Sequence, residues 1–205
     1  MTRADSQRER ALKLLDRYGI MRLSEFKAVG ITAATISRMS RSGELIRLAR
    51  GLYQLADAPL DANHSLAEAA KRVPKGVVCL ASALAYHGLT DQLPPIVWMA
   101  IGTKDWAPKD TNRTMRIVRF AHSLLMTSVE TVYIERVPVK IFGVAKTIAD
   151  CFRHRRSVGQ NVALGGLTEA LRQRKASPAD IASHAKLGGV ATVVHPYLEV
   201  LTINA

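Results

Sequence analysis

The chain has 205 residues, 48% of them apolar, with 29 Lys and Arg against 17 Asp and Glu, a formal net charge of +12. That apolar content can build the core of one mid-sized domain, or of a small module and a larger one, and excludes wholesale disorder. The cationic surplus favours a polyanionic partner, nucleic acid or an anionic membrane face. It is concentrated at the front: residues 1–55 hold 11 basic and 5 acidic side chains, while residues 56–205 hold 18 and 12.

The N-terminal stretch MTRADSQRERALKLLDRYG is charged throughout and lacks the apolar centre of a signal peptide. The longest apolar run, VVCLASALAY at 77–86, is too short to span a bilayer. A soluble cytoplasmic protein with no membrane partner is expected. Cys79 and Cys151 each sit among apolar residues and read as reduced core thiols rather than a disulfide.

In chain order, residues 7–18 place Ala11, Leu14, Leu15 and Tyr18 on one helical face, and Gly19 stops that helix. Ser24 reads as the N-cap of a second helix running to Val29 and closed by Gly30. Thr32 caps a third, running to about Ser42 and ended by Gly43. Residues 45–49 and 52–55 then alternate around an Arg50-Gly51 turn, a small hairpin. Three short helices and a hairpin predict a winged helix-turn-helix over residues 1–55. ADAPLDAN, residues 56–63, has no apolar period and predicts a linker.

Residues 64–205 predict a larger mixed α/β domain ending in helices, so the fold class expected for the whole chain is α+β. Ser65 caps a helix through Arg72; Val77–Leu80 reads as a strand, and Ser82–His87 as a helix. Ile96–Ile101, Met115–Phe120, Val132–Glu135 and Val139–Phe142 read as strands, followed by a helix from Val144 to about His154. Leu167–Arg174, Pro178–Leu187 (with Ser177 as N-cap) and Ala191–Leu201 read as helices, the last interrupted at Pro196. Gly165-Gly166 and Gly188-Gly189 read as turns.

In the third helix, Ala33, Ile36 and Met39 share a face that would pack inward. The opposite face carries Ala34, Arg38 and Arg41, flanked by Thr35, Ser37 and Ser42. Small and hydroxylic residues at the helix start allow the backbone to approach a groove, and Arg38 can reach a guanine edge or a phosphate. Arg47 and Arg50 flank the hairpin turn, where a wing touches the adjacent backbone or minor groove. Thr32, Ala34, Thr35, Ser37, Arg38, Arg41, Arg47 and Arg50 are therefore the candidate DNA-binding residues. A solvated cationic face, or a winged helix used for protein docking, would carry the same pattern.

The run VGITAATISRMSRSGELIRLARGLYQL resembles the N-terminal module of AbiEi-type antitoxins, the transcriptional-regulator half of type IV toxin–antitoxin (abortive-infection) systems. The resemblance is carried by Gly30-Ile31-Thr32, Ile36-Ser37-Arg38, Arg41-Ser42-Gly43-Glu44-Leu45 and Arg50-Gly51-Leu52-Tyr53. SALAYHGL at 82–89 and VPVKIFGVAKTIADCFRHR at 137–155 resemble the family more loosely, with a Thr and an Asp near Thr147 and Asp150. The resemblance implies a bidomain repressor that binds double-stranded operator repeats in its own promoter. It also implies a second domain that antagonises a nucleotidyltransferase-like toxin without a stable complex. Such a regulator would be a monomer or weak dimer in solution, with cooperativity on DNA open.

No catalytic residue, metal ligand or cofactor is expected. The histidines, at 64, 87, 122, 154, 184 and 195, lie far apart, without HExxH or CxxC spacing, and His87 before Gly88 reads as a capping or packing residue. The alternative is a metal-dependent nuclease or DNA-modifying enzyme targeted by the winged helix. Its nearest acidic set is Asp105 or Asp110 with Glu135 and Lys140, but Pro138 separates the last two. Arg153, Arg155 and Arg156, with Lys146 on the same helix, read as a solvated C-terminal turn or as auxiliary phosphate contacts. Of Trp98 and Trp106, one reads as core and the other as exposed.

Overall fold

In a computed structural model, which describes residues 5–108 and 114–203, helix α1 (Gln7–Tyr18) starts at a capping box. Ser6 Oγ accepts from the Glu9 amide at 3.2 Å, and Glu9 Oε2 accepts from the Ser6 amide at 2.8 Å. Gly19 closes the helix at φ 68°. A two-residue strand, β1 (Met21–Arg22), precedes α2 (Leu23–Ala28). Ser24 is not the cap of α2 but lies inside it; the cap position is Arg22, whose amide donates to the Glu25 carboxylate. Helix α3 (Ala33–Arg41) is capped by Thr32, as expected, with Thr32 Oγ1 accepting from the Thr35 amide at 3.3 Å. Strands β2 (Leu45–Ala49) and β3 (Leu52–Leu55) form the hairpin, and β1 adds to β3, giving an antiparallel sheet in the order β1-β3-β2. Leu15, Phe26, Ile31, Ile36, Met39 and Leu45 fill the core between these elements. Each such side chain removed from water contributes roughly 1.5–3 kcal/mol.

This first compact unit extends beyond the expected boundary. It includes the chain up to Pro74 together with Tyr133–Val139. Helix α4 (His64–Arg72), with Asn63 rather than Ser65 at its N-cap, belongs to it. The Arg22 guanidinium donates to the Lys71 carbonyl (Nε at 2.7 Å), and Lys71 Nζ binds Glu25 at 2.9 Å. Glu135 and Arg136 form a turn with both residues in the left-handed region, at φ 49° and 66°. Tight hairpin turns of that shape favour Asn-Gly, so two ordinary residues here must be held in place. They are: Glu135 accepts from the Asp61 amide at 2.7 Å and pairs with His64 Nδ1 at 2.7 Å, and Arg136 binds Asp16 at 2.9 Å. Gly19 makes room for this, since a Cβ there would lie 2.0 Å from the Glu135 carbonyl oxygen.

The second unit holds Lys75–Val132 and residues from Lys140 onward. The elements that follow α4 are β4 (Val77–Val78), α5 (Leu80–Tyr86), β5 (Val97–Gly102), β6 (Met115–Phe120), α6 (His122–Leu125), β7 (Val129–Ile134) and β8 (Val137–Phe142). Then come α7 (Val144–Arg153), α8 (Arg155–Val158), α9 (Gln160–Arg172), α10 (Pro178–Leu187) and α11 (Ala191–Ile203). The strands form a mixed sheet in the order β6-β5-β4-β8-β7, with β4 antiparallel to β5 and parallel to β8. The expected strand over Val77–Leu80 is cut to two residues because Leu80 already begins α5. Helix α9 starts earlier than expected and runs through Gly165-Gly166, which are not a turn. The bare Cα of Gly166 allows the close packing of Leu84, whose Cδ2 would lie 2.8 Å from a Cβ at this position. Helix α11 continues through Pro196, which has no amide hydrogen to donate within it.

Helix α7 is the central helix of this unit, with Ile148, Ala149, Cys151 and Phe152 buried. Lys146, expected among exposed basic residues, is 3% exposed. Its ammonium binds Asp150, one turn on, at 2.8 Å and lies 4.2 Å from the Phe142 ring centroid. Burial pushes the Asp150 carboxyl up, with Lys146 opposing the shift. Cys79 and Cys151 are free, buried thiols, both pushed up by desolvation.

Removing one member of a buried pair leaves an uncompensated charge, whereas replacing both with apolar groups does not. Asp150→Ala is expected to lower stability by about 3–5 kcal/mol, and the double change Lys146→Met with Asp150→Leu to recover most of it. Urea unfolding of the three proteins measures both effects.

Candidate nucleic-acid interface

Ile36 and Met39 are 0% and 2% exposed, so α3 is seated by its apolar stripe and its opposite side faces solvent. Ala34, Ser37, Arg38 and Arg41 are exposed there, and Ala33 is half-buried. Arg41 Nε leans back to the Ser37 carbonyl at 3.4 Å, while among the described residues no hydrogen bond or ion pair engages Arg38. On the hairpin, Arg47 is exposed with Nε 3.3 Å from the Ala49 carbonyl, and Arg50 is exposed at the turn, where Gly51 adopts φ 71°. The pairing shifts register between Arg47 and Ala49, so the hairpin is irregular where it turns.

Thr32 and Thr35 have a different role from the others. Both hydroxyls lie on Gln7 Oε1, at 3.1 and 2.9 Å, and on each other at 3.0 Å, and the Thr32 amide also donates to Gln7 at 3.0 Å. They fix the start of α3 to the start of α1 rather than presenting free hydroxyls. Six of the eight expected residues, Ala34, Ser37, Arg38, Arg41, Arg47 and Arg50, thus remain on the solvent side of one module.

Glu44 is the one acid in the run from Thr35 to Leu55, and its charge is already met. Arg8 from α1 binds it at 2.6 Å and Ser42 Oγ donates at 2.7 Å, and the Arg8 guanidinium holds its carboxyl below the usual carboxylate range. Among the described residues no ion pair engages Arg38, Arg41, Arg47 or Arg50. Gln7 and Arg8 are the contributors that sequence reading missed. Each acts on residues more than twenty positions away, and no local pattern marks them.

The other expected features fall elsewhere. Arg153 Nη1 donates to the Gly188 carbonyl at 2.7 Å and Arg155 Nη1 to Phe152 at 2.9 Å; with Lys146 buried, the basic cluster is largely spent on helix ends. His87 pairs through Nε2 with the Phe142 carbonyl at 2.8 Å. Trp98 is core and Trp106 exposed. Of the acidic set weighed for a nuclease, Asp105 accepts from the Gly102 amide at 2.9 Å, Glu135 is engaged in its turn, Lys140 is exposed on β8, and Asp110 lies outside the described residues. Among the described residues no three His, Cys, Asp or Glu side chains group as metal ligands, and no helix is long and apolar enough to cross a membrane.

A helix, a short strand, two further helices and a hairpin, in this order, make a winged helix-turn-helix, an architecture common among DNA-binding regulators. Residues 9–56 match the family model described as transcriptional regulator, AbiEi antitoxin. The whole fold is similar to the crystal structure of the RV2827C protein from Mycobacterium tuberculosis. That similarity has a TM-score of 0.58 at 14% sequence identity, over 96% of this chain and 82% of that one. At that identity it speaks for the fold alone. No curated protein matches the sequence.

Gln7→Ala is expected to lower the module's stability by about 1–2 kcal/mol, because the cap of α3 loses its anchor. Thermal unfolding followed by circular dichroism reads the change.

Proposed function

We propose that the protein is a sequence-specific repressor that binds operator DNA in its own promoter and serves as the antitoxin of a toxin–antitoxin operon, acting by binding rather than by chemistry. The carrying observation is the orientation of α3: Ile36 and Met39 are buried, and Arg38 and Arg41 are exposed, in no ion pair among the described residues. A helix so placed lays its outer face in the major groove. Ala34 and Ser37 keep the outer face of the N-terminal half slim, so the backbone can come close to the groove floor. Arg38 offers the planar fork that pairs with guanine O6 and N7 or with a phosphate. Arg41 follows one turn of helix later, and Arg47 and Arg50 hold the adjoining backbone from the wing.

The operator repeats and the nucleotidyltransferase-like toxin, antagonised without a stable complex, come from the family resemblance of the front run and, more loosely, of residues 82–89 and 137–155. The larger unit is then the part that acts against the toxin.

Gel shifts on the protein's own promoter, across a salt series, test the reading. Removing one arginine that pairs with a phosphate should reduce the salt slope by about 1. Arg38→Ala is expected to weaken operator binding by about 1–3 kcal/mol and to relax specificity, whereas Arg50→Ala weakens all sequences alike. Affinity that does not change with salt would sink the proposal.

A further inference from the structure

Gln54 is a polar group that the DNA-facing surface does not use. It lies on the central strand β3, opposite Ile46 of β2, and is 4% exposed, with Oε1 buried and, among the described residues, without a hydrogen-bond partner. Buried amides are almost always bonded, because an unpartnered one gives up its interactions with water for nothing. Gln54 lines a cavity of about 470 Å³, together with Leu15, Leu55, Pro59, Leu60 and Asp57. That size is within the range of small-ligand sites.

The cavity's charge is opposite to that of the chain. Among the described residues, Asp16, Asp57, Asp61 and Glu135 line it against one cation, Arg136, on a protein of net charge +12. Most of these acids are occupied: Glu135 by His64 and the Asp61 amide, Asp16 by Arg136, and Asp61 by the Asn63 amide at 2.7 Å. Asp57 is exposed and has no hydrogen bond or ion pair among the described residues. The site therefore offers one uncommitted carboxylate, one unbonded amide and an apolar wall. As placed, the oxygen is sealed off, and a half-turn of the terminal amide, with little change in shape, carries it to the position of the nitrogen.

We propose that this cavity binds an alkyl cation, an ammonium or guanidinium on an apolar stem. The head donates to Gln54 and pairs with Asp57, and the stem lies against Leu15, Leu55 and Leu60. Such cations carry donors only, which is what an amide oxygen and a carboxylate require. An anion would meet four carboxylates, and a purely apolar ligand would leave the amide as it is. The cation can be a free amine or a lysine or arginine side chain of another protein. This site does not depend on the DNA-binding reading.

Isothermal titration of the full chain with n-pentylamine, pentan-1-ol and the blocked peptide Ac-Leu-Lys-Leu-NH2 tests the proposal. Pentylamine is expected to saturate one site with a dissociation constant on the order of millimolar, as suits so few atoms. Pentan-1-ol, equal in shape but uncharged, is expected not to bind. Gln54→Met should weaken the amine roughly tenfold, the loss of a hydrogen bond to a charged donor. Asp57→Asn, an exposed change that leaves the fold alone, should weaken it roughly threefold or more, and it decides the matter if Gln54→Met does not fold. A peptide that binds more tightly than pentylamine points to a protein side chain as the natural source, and the reverse order points to a free amine. Absence of saturable binding by both cations overturns the proposal, as does binding unchanged in the variants.

Discussion

The seating of α3 on Ile36 and Met39 fixes the front of this protein. These two side chains are almost wholly removed from water, among Leu15, Phe26 and Ile31. Because a helix has one rotation about its axis, burying that stripe also sets where every other side chain on α3 points. Arg38 and Arg41 face outward as a consequence of core packing, with no polar contact needed to hold them there. The cap formed by Gln7, Thr32 and Thr35 then fixes the helix along its axis. Orientation comes from the apolar core and position from the cap. Between them, they hold the backbone that carries the arginines in one place and one orientation.

Electrostatics refine that arrangement without creating it. The pairing of Glu44 with Arg8 matters less as a stabilising bond, since the pair is largely exposed, than as a local neutralisation beside the arginines. In the second unit the balance is reversed. Lys146 and Asp150 are buried in an apolar surround, and their mutual contact is what allows either to be there.

The parts of the fold written in local pattern were legible in the sequence. The period of α3, the Thr32 cap, the Arg50-Gly51 turn and the start of α10 at Ser177-Pro178 all depend on residues within a few positions of one another. What was missed depends on distant partners. Met21–Arg22 is a strand only because β3 lies beside it. Gln54 interrupts no alternation that would mark it, because the central strand of the small sheet is covered on both sides. Gly166 looked like a turn residue, since nothing local distinguishes a glycine that bends a chain from one that admits Leu84. Lys146 is the case where a sharper reading was available: a lysine and an aspartate four apart on the apolar face of a helix can bury each other. Of the candidate interface, the arginines were visible from spacing, whereas Gln7 and Arg8 were not.

The turn at Glu135-Arg136 has a consequence for how the chain comes into being. It belongs to the same compact unit as α1 and α4, although it lies some sixty residues beyond Pro74. During synthesis, Gly19, His64 and Asp16 leave the ribosome well before the turn they contact. The amino-terminal unit therefore cannot finish folding until much of the second unit's sheet has also been translated. A nascent chain of this design would stay immature on its message until that late segment arrives, which ties the two halves together in time.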